Sequence, residues 1–386
     1  MTMELLKRSI INCKRCLTSR GIHQSGVAAV SSKSSKDSGG PWERRVVSGL
    51  QPTGTLHVGN YFGALRRCAR LQQAGEDLTL FVADLHSLTT RHDAHALRED
   101  TLELAALALA SGVCPERGAL FVQSAVPRHT ELCWLLACLA TMARLQALPQ
   151  FREKSAALRD VPLGLLLYPV LQAADVLVYR ATHVPAGADQ LQHLQLASAL
   201  ARQFAHRYGP AFPTPAPLLP DDGSDRIRNL RDPAKKMSKS DPEGKSRILL
   251  TDDDAAIALK LRKAVTDFNP EVTFDPENRL GVSNLVQLHC LSTGMTTDEA
   301  VEAAKGLTTA QYKGVVADAL AKELRPVRAR YLELRERPRL VRDILHRGAE
   351  KARRRADETY ADVATRVGLT ASALPPHSLL DAAAAE

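Results

Sequence analysis

The sequence predicts an α/β chain, a doubly wound parallel sheet followed by a mostly helical C-terminal domain. Three observations carry that expectation. Short apolar runs at 45–47, 78–83 and 119–122 read as buried parallel strands. Helical patterns at 61–73, 100–111 and 130–148 lie between and after them, so strand and helix alternate as in βαβ units. From about residue 249 onward the pattern is helical throughout, interrupted by Gly and Pro. A sheet of this kind takes its ligand outside the C-terminal ends of the strands.

Length and composition agree with such a chain. At 386 residues, 45% hydrophobic and 24% charged, it can bury a sizeable core in two domains with a tail. A net charge of +8 and a pI of about 9.2 suit a polyanionic partner. Seven cysteines, an odd number scattered through a long chain, argue against a disulfide framework. Cys13 and Cys16 form a CxxC with no second pair to complete a zinc site, so the pair is read as incidental. No apolar run approaches the roughly 18 residues a membrane span needs. The nearest, 164–170, is short and contains Pro169.

The first 40 residues carry seven Lys/Arg against only Glu4 and Asp37. Lys7/Lys14 and Arg8/Arg15 repeat on one helix face, while Leu6, Ile10, Cys13 and Leu17 step along another. A basic, amphipathic, serine-rich and acid-poor start is the mitochondrial presequence pattern. The stretch 31–40 then reads as a flexible tether, so 1–42 is assigned as presequence and linker.

Taken in order, the first strand run leads into Ser48-Gly49-Leu50-Gln51-Pro52-Thr53-Gly54-Thr55-Leu56-His57-Val58-Gly59-Asn60, and the 61–73 helix follows. Strand, glycine-containing loop and helix N-terminus together present free backbone N–H groups to phosphate. His57 and Asn60, three residues apart, can address one ligand from the first turn. Neither a Walker loop nor GxGxxG is present. Asp84-Leu85-His86-Ser87 stands after the second strand, where His86 is either a core histidine or a ligand contact. The stretch 163–179, if helical, places Tyr168 and Asp175 seven residues apart on one face. A carboxylate in that apolar stretch needs a partner: a cap, an ion pair or a ligand N–H. A turn over 184–190 precedes a helix at 190–202, and Asp189 and Gln190 at its start are either N-terminal caps or ligand contacts.

Lys235-Lys236-Met237-Ser238-Lys239-Ser240-Asp241-Pro242 lies between Pro233 and Gly244 and is therefore a loop. Its ammonium and hydroxyl groups suit phosphate oxygens; by composition alone a solvated basic turn is the favoured reading. Residues 247–250 are candidates to finish the sheet. Asp252-Asp253-Asp254 reads as an acidic helix start rather than a metal cluster, since consecutive positions point in different directions. Helical patterns follow at 259–265, 284–291 and 308–323, and 322–355 carries thirteen Lys/Arg against five Asp/Glu, a density suited to a nucleic-acid backbone. The Ala-rich end after Ala373 is expected to be disordered.

His-Val-Gly-Asn at 57–60 and Lys-Met-Ser-Lys-Ser at 236–240 resemble the two signatures of class I aminoacyl-tRNA synthetases. Gln51-Pro52-Thr53-Gly54, Asp84-Leu85-His86, Gln150-Phe151-Arg152-Glu153-Lys154-Ser155, Tyr168-Pro169 through Asp175, and Gly187-x-Asp189-Gln190-x-Gln192-His193 stand in the same order. Together they resemble the tryptophanyl-tRNA synthetase family from about 45 to about 368, and the leader resembles its mitochondrial form. The resemblance implies a Rossmann-like catalytic domain at 43–248, a helical tRNA- and anticodon-binding domain at 249–386, and a homodimer in the mitochondrial matrix. It implies the substrates ATP with Mg²⁺, L-tryptophan and tRNA(Trp). Lys154, Lys236, Ser238 and Lys239 are then the catalytic group acting on the triphosphate. Gln51, His57, Gly59, Asn60, Gly187, Asp189, Lys236, Met237, Ser238 and Lys239 hold ATP. Gln51, His86, Tyr168, Asp175 and Gln190 hold tryptophan, Asp175 accepting the indole N–H; no metal-ligand set is expected. Val47, Ala186 and Ala188 depart from the family pattern, which has Phe, Val and Glu there.

Three alternatives are weaker. A tyrosyl enzyme would normally supply a Tyr on the first sheet segment, and 47–51 has none. A small nucleotidyltransferase would not need the long helical extension. An RNA-binding relative without activation would not keep the lysines and Asp175. Deletion of residues 1–40 is expected to abolish mitochondrial import and leave tryptophan activation intact; loss of activation in the purified truncated protein would make the segment part of the fold.

Overall fold

The computed structural model describes residues 42–369, apart from Arg91, Ala157 and Ser240. The presequence assignment and the Ala-rich end lie outside the described residues. In the unit that begins at Glu43, the central strands form because apolar residues supply both faces of a pleated ribbon. β1 (Val46–Leu50), β2 (Leu78–Val82) and β3 (Ala119–Val122) pair in parallel, with β1 next to β2 and β2 next to β3. β4 (His183–Pro185) joins the other side of β1, and β5 (Ala216–Leu218) joins β4, giving the order β3-β2-β1-β4-β5. Successive residues of one strand feed two separate cores. Val46, Leu80 and Leu120 pack on one face, and Val47, Phe81 and Phe121 on the other.

Two expectations about the sheet are corrected. Residues 247–250 do not finish it; Leu249 makes an isolated antiparallel bridge with His57, and β5 takes the outer position. The beginning of the expected turn at 184–190 belongs to β4. Both missed strands are three residues long and contain a proline, too short for a period to show and short of one N–H donor.

The helices shift in informative ways. The expected 61–73 helix starts earlier, with α1 (Val58–Asn60), runs through a π-helical segment at Tyr61–Leu65, and continues as α2 (Arg66–Gln73). After β2 come the short α3 (Asp84–Ser87) and α4 (Ala94–Ala110), which begins before the expected 100 because Asp93 caps it through the Ala96 N–H. The expected 130–148 helix is broken into α5 (Arg128–Ala137) and α6 (Met142–Gln146), and then α7 (Pro149–Ser155), with Thr141 capping the second and Pro149 opening the third. α8 (Leu163–Leu177) and α9 (Leu191–Tyr208) cover the Val47/Phe81 face together with α5.

Downstream lie α10 (Asp254–Arg262), α11 (Leu280–Thr293), α12 (Thr297–Ala303), α13 (Thr309–Arg335) and α14 (Pro338–Val367). The three acids at 252–254 do helix-end work. Asp253 caps α10 through the Ala256 N–H, Asp252 holds Lys260, and Asp254 pairs with Arg325 and Arg328. α10, α11 and α13 share the core of the Val46/Leu80 face, so the apolar interior is continuous across residue 248.

α14 crosses the edge of the sheet at β3. Val341 and Leu345 enter one core, Ala349, Ala352 and Ala356 the other, and Gly348 sits between them. A Cβ on Gly348 would lie 1.9 Å from the Leu120 carbonyl oxygen. Lys351 donates to the Pro115 and Gly118 carbonyls and Arg353 to that of Ala125, so the helix satisfies backbone oxygens on either side of the strand it covers. Gly→Ala inside a helix normally stabilises by about 1 kcal/mol. At Gly348 the contact with fixed backbone reverses the sign, and Gly348→Ala is expected to cost roughly 1–3 kcal/mol. A thermal or denaturant melt measures this; an unchanged or higher Tm would show that α14 can move off β3.

Candidate active site

The order β3-β2-β1-β4-β5 reverses direction between β1 and β4, and the crevice at such a reversal is where a parallel sheet accepts a ligand. A cavity of about 610 Å³ opens there, a size suited to a small-molecule substrate. Every candidate residue from the sequence lines it: Gln51, His57, Gly59, Asn60, His86, Lys154, Tyr168, Asp175, Gly187, Asp189, Gln190, Lys236, Met237, Ser238 and Lys239. Lys235, the third lysine of the loop, pairs with Asp232 at 2.9 Å and lies off the cavity. Val47 and Ala186, two of the departures, are in the wall, where their smaller side chains leave room a Phe or a Val would fill.

The start of α1 is built as a reciprocal cap. His57 Nδ1 accepts the Gly59 N–H at 3.1 Å, and Asn60 Oδ1 accepts the His57 N–H at 3.2 Å. This settles the imidazole tautomer: an accepting Nδ1 leaves the proton on Nε2. Burial, then Lys239, Arg247 and Lys236, push the His57 pKa down to about 4, so the ring is a neutral N–H donor at physiological pH. Gly59 is required here, because a Cβ would lie 2.9 Å from the His57 ring.

The basic loop is anchored by its one apolar residue. Met237 is buried, and its N–H donates to the Ile227 carbonyl at 3.0 Å, while the Asn229 N–H donates to the Lys235 carbonyl at 3.0 Å. Beyond it, Asn229 Nδ2 donates to Asp241 Oδ2 at 2.6 Å. With the backbone held on both sides of Met237, Lys236 projects exposed and Lys239 turns inward, its Nζ donating to Thr53 Oγ1 at 3.0 Å. Burial lowers the Lys239 pKa. Two loops far apart in sequence therefore meet through a lysine and a threonine.

A second polar group surrounds Tyr168. Its hydroxyl donates to Gln150 Oε1 at 3.0 Å, which also receives His193 Nε2 at 2.9 Å, and Lys154 Nζ stands 4.9 Å from the centre of the Tyr168 ring. Burial, with Lys154 beside it, lowers the His193 pKa to about 4. Gln190 is held by two neighbours: its Nε2 donates to Asp189 Oδ2 at 2.7 Å and its Oε1 accepts from Gln172 at 3.1 Å. Gln190 occupies the N-cap position of α9 but makes no capping hydrogen bond, so that alternative is not the one realised.

The third group centres on Asp175, which is 2% exposed. Its Oδ2 takes His86 Nε2 at 2.7 Å, and its Oδ1 takes Gln123 Nε2 at 2.6 Å and His129 Nδ1 at 2.7 Å. His129 Nε2 is 2.7 Å from the Tyr179 hydroxyl. Burial pushes the Asp175 pKa up, but His86 and His129 together outweigh it and hold it at about 2. The carboxylate is ionised. Gln123, His129 and Tyr179 were missed in the sequence, although Gln123 immediately follows β3 and thus occupies the same strand-end position that singled out His86 after β2. Gln150, Gln172 and His193 are letters of the sequence motifs to which the resemblance assigns no role.

Among the described residues, no group of three or more His, Cys, Asp or Glu side chains could hold a metal ion. Anionic phosphate has donors here in the His57 ring, the start of α1 and the lysines. An N–H donor has an acceptor in Asp175.

A family profile described as "tRNA synthetases class I (W and Y)" matches residues 43–326. The tryptophan–tRNA ligase of Caldanaerobacter subterraneus subsp. tengcongensis is 42% identical over 326 residues, 84% of this chain and 98% of the relative. The crystal structure of tryptophanyl-tRNA synthetase from Mycoplasma pneumoniae superposes with a TM-score of 0.79 at 29% identity, covering 86% of this chain and all of that one (100%). The Campylobacter jejuni tryptophanyl-tRNA synthetase, solved with ADP and tryptophan, gives 0.72 at 29% identity over 84% of this chain and 100% of that one. The chain belongs to the class I tRNA synthetases for tryptophan and tyrosine, and among them to the tryptophanyl-tRNA synthetases.

Proposed function

We propose that the chain activates L-tryptophan with ATP and transfers it to tRNA(Trp) for translation in the mitochondrial matrix. The observation that carries the tryptophan assignment is the ionised, buried Asp175 in the wall of the same cavity as the basic loop. The tryptophan carboxylate is already a nucleophile at neutral pH. It attacks the α-phosphate in line and pyrophosphate leaves, so no protein base is needed. The protein's task is to position the reactants and stabilise the charge developing on phosphate.

The neutral His57 donates through Nε2, with Gly59 and Asn60 shaping the helix start around the triphosphate. Lys154, Lys236 and Lys239, with Ser238, supply the donors for its oxygens, and Met237 anchors their loop. Gly187 and Asp189 address the ribose. Gln51, His86, Tyr168, Asp175 and Gln190 form the amino-acid pocket. Mg²⁺ would come with ATP, held by the triphosphate oxygens rather than by a protein ligand set, and would neutralise charge there. In the second step a terminal ribose hydroxyl of the tRNA takes the tryptophanyl group from the adenylate.

The tRNA reading rests on the C-terminal helices. Of the thirteen basic residues at 322–355, Arg325, Arg328, Arg330, Lys351, Arg353 and Arg355 bond to acids or carbonyls of this chain. Lys322, Arg335, Arg337, Arg339, Arg342, Arg347 and Arg354 are exposed and make no such bond among the described residues, which leaves them for phosphates. A homodimer is supported by Trp134, Met142 and Leu163, which are 69%, 65% and 66% exposed. They lie on α5, α6 and α8, and α8 packs against the other two. The matrix location rests on the basic leader. No helix among the described residues is long and apolar enough to cross a membrane.

Pyrophosphate exchange measured with each amino acid in turn tests the assignment, and exchange with an amino acid other than tryptophan would overturn it. Lys239→Ala should slow adenylate formation by roughly 10²–10³ and leave tryptophan binding nearly unchanged. Lys245→Ala, on an exposed residue outside the cavity, is the control; equal effects from both changes would return the loop to a solvated turn. Asp175→Ala should lower kcat/KM for tryptophan steeply and erode an advantage over phenylalanine that a buried acceptor can raise to roughly 10⁴–10⁵. ATP binding should be preserved. A destabilised enzyme with full selectivity would remove Asp175 from the pocket.

A further inference from the structure

An ionised carboxylate has about four acceptor sites, two on each oxygen. In Asp175 both sites on Oδ1 are taken, by Gln123 Nε2 at 2.6 Å and His129 Nδ1 at 2.7 Å. Oδ2 has one donor, His86 Nε2 at 2.7 Å. Asp175 and His86 line the cavity, whereas Gln123 and His129 are fully buried (0% exposed) behind them. Among the described residues, the one acceptor site left on the carboxylate is therefore on Oδ2.

We infer that Gln123 and His129 are positioning residues for amino-acid specificity: by saturating Oδ1 they lock the Asp175 carboxylate so that a single acceptor site, on Oδ2, meets a ring N–H of the indole type. The inference rests on the reading that Asp175 receives tryptophan. It adds two residues that never touch the substrate but determine where the acceptor points.

The chemistry of both residues agrees with the role. His129 Nε2 lies against the Tyr179 hydroxyl, whose pKa burial raises well above its ordinary value, so the phenol keeps its proton. When that hydroxyl donates to Nε2, the imidazole proton must be on Nδ1, facing Asp175; when the ring is doubly protonated, Nδ1 carries a proton as well. The ionised Asp175 can only accept, so Nδ1 carries the proton, and Nε2 is then free to accept from the Tyr179 hydroxyl, which stabilises that tautomer. Gln123 directs its amide N–H to Asp175 while its own buried Oε1 has no partner among the described residues. A buried acceptor left unpaired is a cost. It is tolerated here because the opposite amide orientation would set an oxygen against the carboxylate.

The groups facing Asp175 are His86 after β2, Gln123 after β3, His129 and Cys133 on α5, and Tyr179 beyond α8. Burial, with Asp175 nearby, pushes the Cys133 thiol up to about 12, so neither Cys133 nor Tyr179 changes charge near neutrality. His86 and His129 are the remaining titratable neighbours. Burial raises the Asp175 pKa, and His86 on Oδ2 and His129 on Oδ1 lower it; a hydrogen bond from Gln123 to the charged form acts in the same direction as theirs. Removing a donor must raise that pKa, so the acceptor is lost at a higher pH as the solution is acidified.

The test is tryptophan-dependent pyrophosphate exchange on the full chain, with KM for tryptophan and for ATP followed from neutral pH downward. Gln123→Met removes a donor at similar volume. It should raise KM for tryptophan roughly 10-fold or more, the scale of losing a hydrogen bond to a charged group, with KM for ATP unchanged. The acid limb of the tryptophan KM profile should move to higher pH, and the preference for tryptophan over phenylalanine should narrow. Tyr179→Phe, which deletes one hydroxyl, should shift the profile in the same direction by less. His129→Asn, whose amide can replace the Nδ1 donor, should keep selectivity where His129→Leu loses it. Folded Gln123→Met and Tyr179→Phe enzymes with unchanged selectivity and an unmoved acid limb overturn the inference, whatever their melting temperatures. Should Asp175→Ala abolish selectivity while Gln123→Met does not, the positioning role alone fails. Should Asp175→Ala leave selectivity intact, the indole reading fails and this inference with it.

Discussion

A carboxylate withdrawn from water needs donors, and Asp175 draws them from segments that the sheet brings together. His86 stands just past β2, Gln123 just past β3, and His129 on the first turn of α5, while Asp175 itself is near the end of α8. Taking an ion out of water costs several kcal/mol even after relaxation, so the ends of two strands and two helices are tied to one small charge. The pull on its proton affinity shows which effect wins: burial is the largest single influence and favours the neutral acid, yet the two imidazoles together hold it ionised. The same bonds that offset burial also orient the carboxylate. One group thus ties these segments together and is also the acceptor of the proposed tryptophan site.

The basic side of the cavity works by a different device. A cationic histidine beside Lys236 and Lys239 would be repelled, and His57 avoids this by staying neutral. Its ring serves first as the cap of α1 and then, through the opposite nitrogen, as a donor to the cavity. The positive charge is left to lysines, whose loop hangs on buried Met237 and on Thr53. The positive charge is thus carried by lysines on a pinned backbone, and the uncharged donor by a ring fixed in the helix cap.

The C-terminal helices serve both packing and charge. α13 and α10 extend the core on one face of the sheet, and α14 covers the edge strand β3, drawing on both cores with a glycine at the closest approach. About half of the basic run is turned inward by this arrangement. Arg355 meets Asp77, Arg325 and Arg328 meet Asp254, and Lys351 and Arg353 bond to carbonyls next to β3. The basic density in the sequence is therefore an upper limit on what is left for a polyanion.

The alternation of strand and helix and the two signature loops were legible in the sequence because each is local, while the candidate pocket residues came from the resemblance of their motifs. A β1 run, a glycine-bearing loop and a helix start are neighbours in the chain, and lysines around Met237 advertise themselves by composition. Asp175 also stood out, as a charge in an apolar stretch. Its partners did not, because a histidine and a glutamine have no periodic signature and become donors only when β2, β3, α5 and α8 converge. β4 and β5 escaped for a related reason: three residues with a proline have no pattern of their own and are strands by virtue of the neighbours they pair with. Residue types and loop chemistry were determined by the sequence alone. Which nitrogen carries a proton, which oxygen keeps an open acceptor site and which arginines stay free were decided by tertiary structure, since each depends on what lies within hydrogen-bond distance from a remote part of the chain.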